Sequence, residues 1–136
     1  MKINEQDKKL IEEAKKVIIK SKSAKLIYTG KVGAALITSR NNIFVGVSLG
    51  HYCGIGSCAE YQAIGNMISN GEKEIKKIVA ITDKGKIIPP CGKCREMILQ
   101  SCKKNKDTEV IISKIKKVKL KELLPYPWGG SIEEWK

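Results

Sequence analysis

Residues 89–95 read Pro-Pro-Cys-Gly-Lys-Cys-Arg, and residues 56–60 read Gly-Ser-Cys-Ala-Glu. In each stretch a loop hands a cysteine to the start of a segment patterned for a helix, so each cysteine is expected at a helix N-terminus. A helix start carries unpaired N–H groups and positive partial charge, which favour a thiolate. Cys91 and Cys94 have the Cys-x-x-Cys spacing, which puts two sulfurs on one side of a helical turn. A redox pair uses that spacing as well as zinc does. Cys58, 33 positions before Cys91, adds a third thiol across an intervening helix and strand.

Around these stretches the pattern alternates between strand and helix. Leu10, Ile11, Ala14, Val17 and Ile18 are spaced for one helical face within residues 5–21. Residues 31–38 and 43–48 read as strands joined by a hairpin at Arg40-Asn41-Asn42. A helix is expected from about Ser57 to Asn70-Gly71, and another from Cys91 to about Lys104. Residues 76–82, 108–113 and 115–119 read as strands, and residues 83–90 as turn and loop. Strand–helix–strand succession after a hairpin implies an α/β fold with parallel pairing in the second half. No repeat or Pro/Gly/Ser linker divides the sequence, so one domain is expected over residues 1–136.

The formal net charge is +12, and the basic residues are Lys apart from Arg40 and Arg95. Arg is the usual residue for bidentate phosphate and base contacts, and many of these Lys sit beside acids. A solvated basic surface is therefore the expectation, rather than a nucleic-acid interface. In Lys114 to Lys121, lysines alternate with Ile, Val and Leu, which reads as a strand with Lys on its wet side. No apolar run reaches the roughly 20 residues of a membrane span. The expected setting is the cytoplasm, where the five cysteines, Cys53, Cys58, Cys91, Cys94 and Cys102, stay reduced.

Chemistry explains the pattern Cys-Ala-Glu … Pro-Cys-x-x-Cys. Three protein ligands to zinc leave a fourth position open for water, whose acidity the metal raises. Glu60, two residues after Cys58, is then near the metal without being a ligand. That is where a general acid/base belongs if an amino group on a heterocycle is to be replaced by oxygen. Two other readings stay open on the residues alone. Ser57-x-x-Glu60 is also a capping box. A structural zinc site would take a fourth ligand from Cys53 or His51.

These motifs resemble the cytidine deaminase family, and within it the blasticidin S branch. Val32-Gly33-Ala34-Ala35-Leu36, Cys58-Ala59-Glu60, Pro90-Cys91-Gly92-Lys93-Cys94-Arg95 and Glu122-Leu123-Leu124-Pro125 carry the resemblance. The blasticidin side is carried by Gly46-Val47-Ser48, His51-Tyr52, Ile78 to Ile81, and the tail Tyr126-x-Trp128. It implies a three-layer α/β/α fold around a five-stranded mixed sheet. It also implies one zinc per subunit on Cys58, Cys91 and Cys94, with Glu60 as the catalytic acid/base. A small amino-pyrimidine substrate would touch Ser48, His51, the Ala59 backbone, Tyr126 and Trp128. A homotetramer with sites finished by neighbouring subunits is implied too. Two positions depart from the cytidine pattern. Its sugar-holding Asn-x-Glu corresponds here to Ser48 and Gly50, and the Arg that often follows the Glu is Tyr61.

Overall fold

The computed structural model describes residues 1–50 and 55–128. Helix α1 (Glu5–Ser21) precedes the hairpin β1 (Val32–Thr38) and β2 (Ile43–Val47). Helix α2 (Ala59–Ser69), β3 (Ile75–Thr82), β4 (Ile87–Ile88), α3 (Gly92–Ser101), β5 (Glu109–Ile111), β6 (Lys117–Lys119) and α4 (Leu120–Leu123) follow. The strands form one mixed sheet in the order β2-β1-β3-β5-β6, and β4 pairs beside them with β3. β3 and β5 are parallel, with Ile78 opposite Val110, while β1 pairs antiparallel with both β2 and β3. The sixth strand beyond the expected five is β4. It is a two-residue ribbon that forms because Gly85, at φ +82°, turns the chain back on β3.

Alternation along the central strands splits the core into two layers. On one face Ala34, Leu36, Ile78, Ala80 and Val110 pack against Ala63, Ile64 and Met67 of α2 and Ile98 of α3. On the other, Ala35, Ile37, Val79, Ile81 and Ile111 pack against Leu10, Ala14 and Ile18 of α1. Strand side chains point to opposite faces by turns, so a strand covered on both sides reads as a continuous apolar run. β1 and β3 read that way. Each large apolar side chain buried in these layers contributes about 1.5–3 kcal/mol.

The basic third of the sheet departs from the expectation of wet lysines. Lys117 in β6 and Lys77 in β3 are each about 4% exposed. Both ammonium groups lie 2.8 Å from the Asp7 carboxylate, and Lys117 also lies 2.7 Å from Glu109. Asp7 is fully buried and is the third residue of α1, where it completes a capping box with Asn4. Periodicity ranks Lys as an outward residue, but a paired carboxylate overrides that ranking.

Two boundaries also differ. The helix from Cys91 stops at Ser101, and Lys103–Asp107 form a tighter 3₁₀ turn closed on Asn105. Asn105 is buried; it accepts from the Ile75 N–H and donates to the Lys73 and Ile98 carbonyls. Ser57 does not cap α2, since Cys58 is the N-cap and makes no side-chain cap bond. Ser57 instead bridges to Leu49 through both backbone groups, at 2.8 and 2.9 Å. Among the described residues no helix is long and apolar enough to cross a membrane.

Candidate metal centre and active site

The sheet brings the two cysteine loops together at one end of α2 and α3. Cys58 is the N-cap of α2 and Cys91 the N-cap of α3, both with extended backbone. Cys94 follows one turn into α3 and is buried, while Cys91 is exposed and Cys58 lies between. The three Sγ atoms all lie within 4.8 Å of one another, and Cys58 and Cys91 are 3.6 Å apart. Zinc–sulfur bonds of about 2.3 Å in tetrahedral geometry separate sulfurs by about 3.8 Å. The donor set therefore fits zinc, and among the described residues it has three members. His51 and Cys53, the expected sources of a fourth ligand, lie outside the described residues, as does His51 as a substrate contact.

The thiols do not share one electrostatic environment. Burial, aided by Cys91, raises Cys58. Burial and the Glu60 charge push Cys94 strongly up. At Cys91 burial also opposes ionisation, but the Cys94 N–H and the neighbouring thiols overcome it and the net shift is downward. Helix ends alone thus do not ionise all three sulfurs. Thiolates this close repel one another, and a dication is what lets them ionise together.

Glu60 is the second residue of α2 and is 5% exposed. Burial raises its carboxyl above the usual carboxylate range, against contrary pulls from its own backbone N–H and Cys94. It lines a cavity of about 380 Å³ together with Cys58, Cys91, Ser48 and Ala59, the last two both expected contacts. Val32, Leu49, Ile88 and Pro89 supply apolar walls that no motif announced. The Ser48 hydroxyl oxygen accepts the Val32 N–H at 3.0 Å. Tyr126 and Trp128 are 92% and 75% exposed and do not line this cavity, although the Trp128 N–H reaches Glu96 of α3 at 2.8 Å.

Two cations near the cysteines have partners of their own. Arg95 donates from Nε to the Pro90 carbonyl at 2.8 Å and from Nη1 to the Leu123 carbonyl at 3.0 Å. It ties the loop before Cys91 to the end of α4. Lys93 lines the cavity, with its ammonium 4.4 Å from the centroid of the Tyr61 ring.

Comparison with known proteins agrees with this geometry. The family model described as the cytidine and deoxycytidylate deaminase zinc-binding region matches residues 4–112. A blasticidin-S deaminase of Bacillus cereus is 33% identical over 138 aligned positions, covering 90% of this chain and 92% of its own length. A cytidine deaminase of Halalkalibacterium halodurans is 30% identical over 100 positions, covering 70% and 74%. Among solved structures, a cytidine deaminase of Mycobacterium tuberculosis superimposes with a TM-score of 0.76 at 20% identity, over 90% of this chain and 96% of that one. One from Burkholderia pseudomallei gives 0.72 at 24% identity, over 93% and 100%. Those two likenesses speak for the three-layer fold. Together with three clustered thiols, the family model and the curated relatives settle the kinship: the chain belongs to the cytidine and deoxycytidylate deaminase family, whose members are zinc-dependent hydrolytic deaminases.

Proposed function

We propose that the protein releases ammonia from a cytosine nucleoside or a nucleoside-like small molecule, with cytidine, deoxycytidine and blasticidin S as candidate substrates. The observation that carries this reading is the buried Glu60 carboxyl sharing a cavity with the three-sulfur cluster. In this reading Cys58, Cys91 and Cys94 hold one zinc ion per subunit. Zinc supplies Lewis acidity when bound, which makes water nucleophilic near neutral pH. Glu60 takes one proton from the attacking water and delivers it to the ring nitrogen beside the amino-bearing carbon. It then carries the second water proton to the amine, which leaves as ammonia while the ring keeps the oxygen. A carboxyl lifted by burial is suited to holding a proton between those two transfers.

On the substrate side, Ser48 and Ala59 line the cavity and would touch the bound ring, while Tyr126 and Trp128, exposed and outside the cavity lining, would have to close over it. His51 belongs to the same proposed set. A homotetramer is part of the reading. Exposed Ile27, Ile55, Ile115, Tyr126 and Trp128 are the kind of surface that subunit contacts bury. Light scattering would then give four times 15.1 kDa. A cytoplasmic setting follows from thiolate ligands that need reducing conditions.

The direct test is ammonia release by the zinc-loaded protein over cytidine, deoxycytidine, blasticidin S and adenosine. Release from a cytosine compound, and none from adenosine, is the expected result. Silence on every cytosine compound would overturn the reading.

A further inference from the structure

The deamination chemistry uses the sulfurs and Glu60 and leaves Lys93 unused. Lys93 is the second residue of α3 and, among the described residues, the single Lys or Arg that lines the cavity. Among the described residues, no carboxylate lies within ion-pairing distance of it. Its ammonium is held instead over the Tyr61 ring, at 4.4 Å from the centroid. A ring face attracts a cation without neutralising it, so the charge stays available while its position is restricted.

Gly50, the position that corresponds to the sugar-holding Glu of the cytidine pattern, has no room for a side chain. A Cβ at Gly50 would fall 2.1 Å from the Tyr28 carbonyl oxygen and 2.9 Å from Tyr28 Cβ. The segment at Tyr28 fills the place a side chain would need, so no residue but glycine fits there. Ser48 accepts from the Val32 N–H, which leaves its hydroxyl proton to donate. Away from the sulfurs and Glu60, the described polar side chains lining the cavity are the Ser48 and Ser57 hydroxyls and the Lys93 ammonium, and only Lys93 carries a positive charge. Among the described residues, Glu60 is the only carboxylate lining the cavity. The net charge of +12 on the whole chain also raises the concentration of anions near its surface.

Resting on the deaminase reading above, we infer that Lys93 is a specificity-determining residue. It recognises an anionic substituent, carboxylate or phosphate, on the amino-pyrimidine substrate. The ammonium would bond an oxygen of that group, and the Tyr61 ring would keep it from collapsing onto Glu60.

The test compares kcat/KM for three cytosine nucleosides: deoxycytidine, its 5′-monophosphate, and a 5′-carboxylate analogue. It uses zinc-loaded wild type, Lys93→Gln and Lys93→Arg. The wild type is expected to prefer at least one anionic compound over deoxycytidine by about tenfold, as a charge-assisted bond in a partly open cavity predicts. Which anion is preferred separates phosphate from carboxylate. The preference should fall toward one in Lys93→Gln and persist in Lys93→Arg. A ratio unchanged in Lys93→Gln would overturn the inference, because a lysine that only supports the fold or offsets the thiolates lowers all three rates together. Calorimetric binding of the matching uracil products needs no turnover. It keeps a failure of the deaminase reading distinct from a failure of this one. No anion preference in wild-type binding sinks the Lys93 assignment alone.

Discussion

Glu60 occupies a position where two physical roles compete. It follows an N-cap and could have served only that cap, but Cys58 takes the cap position and the carboxyl turns into the cavity. Replacing it with Ala should leave the three sulfurs, and so the bound zinc, in place. Turnover should fall by at least about 10²-fold, the usual contribution of a positioned acid/base. Zinc content by mass spectrometry, beside the ammonia assay, checks both halves; an enzyme that loses metal and activity together contradicts the assigned role. The three clustered cysteines were legible in the sequence because zinc binding restricts both residue type and spacing. Lys93 was visible there only as a residue between two cysteines of the motif. That it lies over Tyr61 depends on how α2 and α3 meet, which no local spacing encodes.

The helix that carries Cys58 and Glu60 is set by a single small residue on β2. A Cβ at Gly46 would lie 2.5 Å from the Ala63 backbone nitrogen, 2.7 Å from Gln62 Cβ and 2.8 Å from the Ala59 carbonyl oxygen. Two of those three are backbone atoms, so α2 itself would have to move. Gly46→Ala should cost about 1–3 kcal/mol in stability. It should also weaken zinc retention, because the shifted helix takes Cys58 away from Cys91 and Cys94. Thermal melting and a chelator competition measure the two effects, and a loss of stability with unchanged zinc retention would contradict the coupling. The helices and the five longer strands were readable from periodicity and turn residues. β4 was not, since two residues are too few to show a period. The early end of α3 was missed because Asn105 gathers the Ile75 N–H and the carbonyls of Lys73 and Ile98, a tertiary arrangement that overrides local helix pattern.

The buried group of Asp7, Lys77, Glu109 and Lys117 joins the first helix to strands from the middle and end of the chain. Burial alone would raise the Asp7 carboxyl. Hydrogen bonds from Lys117 and Lys77 and the Asn4 backbone overcome it and hold Asp7 below its ordinary value. Such a group adds stability that is complete above the unfolded carboxylate pKa, about 4. That stability is lost as pH falls through the lower folded value. The melting temperature should therefore fall steeply below about pH 4. Asp7→Asn should be destabilised by about 3–5 kcal/mol near neutrality, having left two lysines buried without their shared partner. It should also show a shallower acid limb. Melting curves across pH for both proteins test this, and parallel acid limbs would remove Asp7 from the explanation. Sequence patterning placed Lys117 in water because periodicity sees only one strand at a time.

That ion group also orders events in time. Asp7 and Lys117 are 110 residues apart, so the helix made first meets one of its charged partners only when the last strand has been synthesised. Until then Leu10, Ala14 and Ile18 have no completed sheet to cover, and Asp7 lacks Lys117. A nascent chain would carry an uncovered amphipathic helix through most of its translation. The N-terminal segment, which looks from its sequence like the easiest part to fold, is the part that must wait longest to dock.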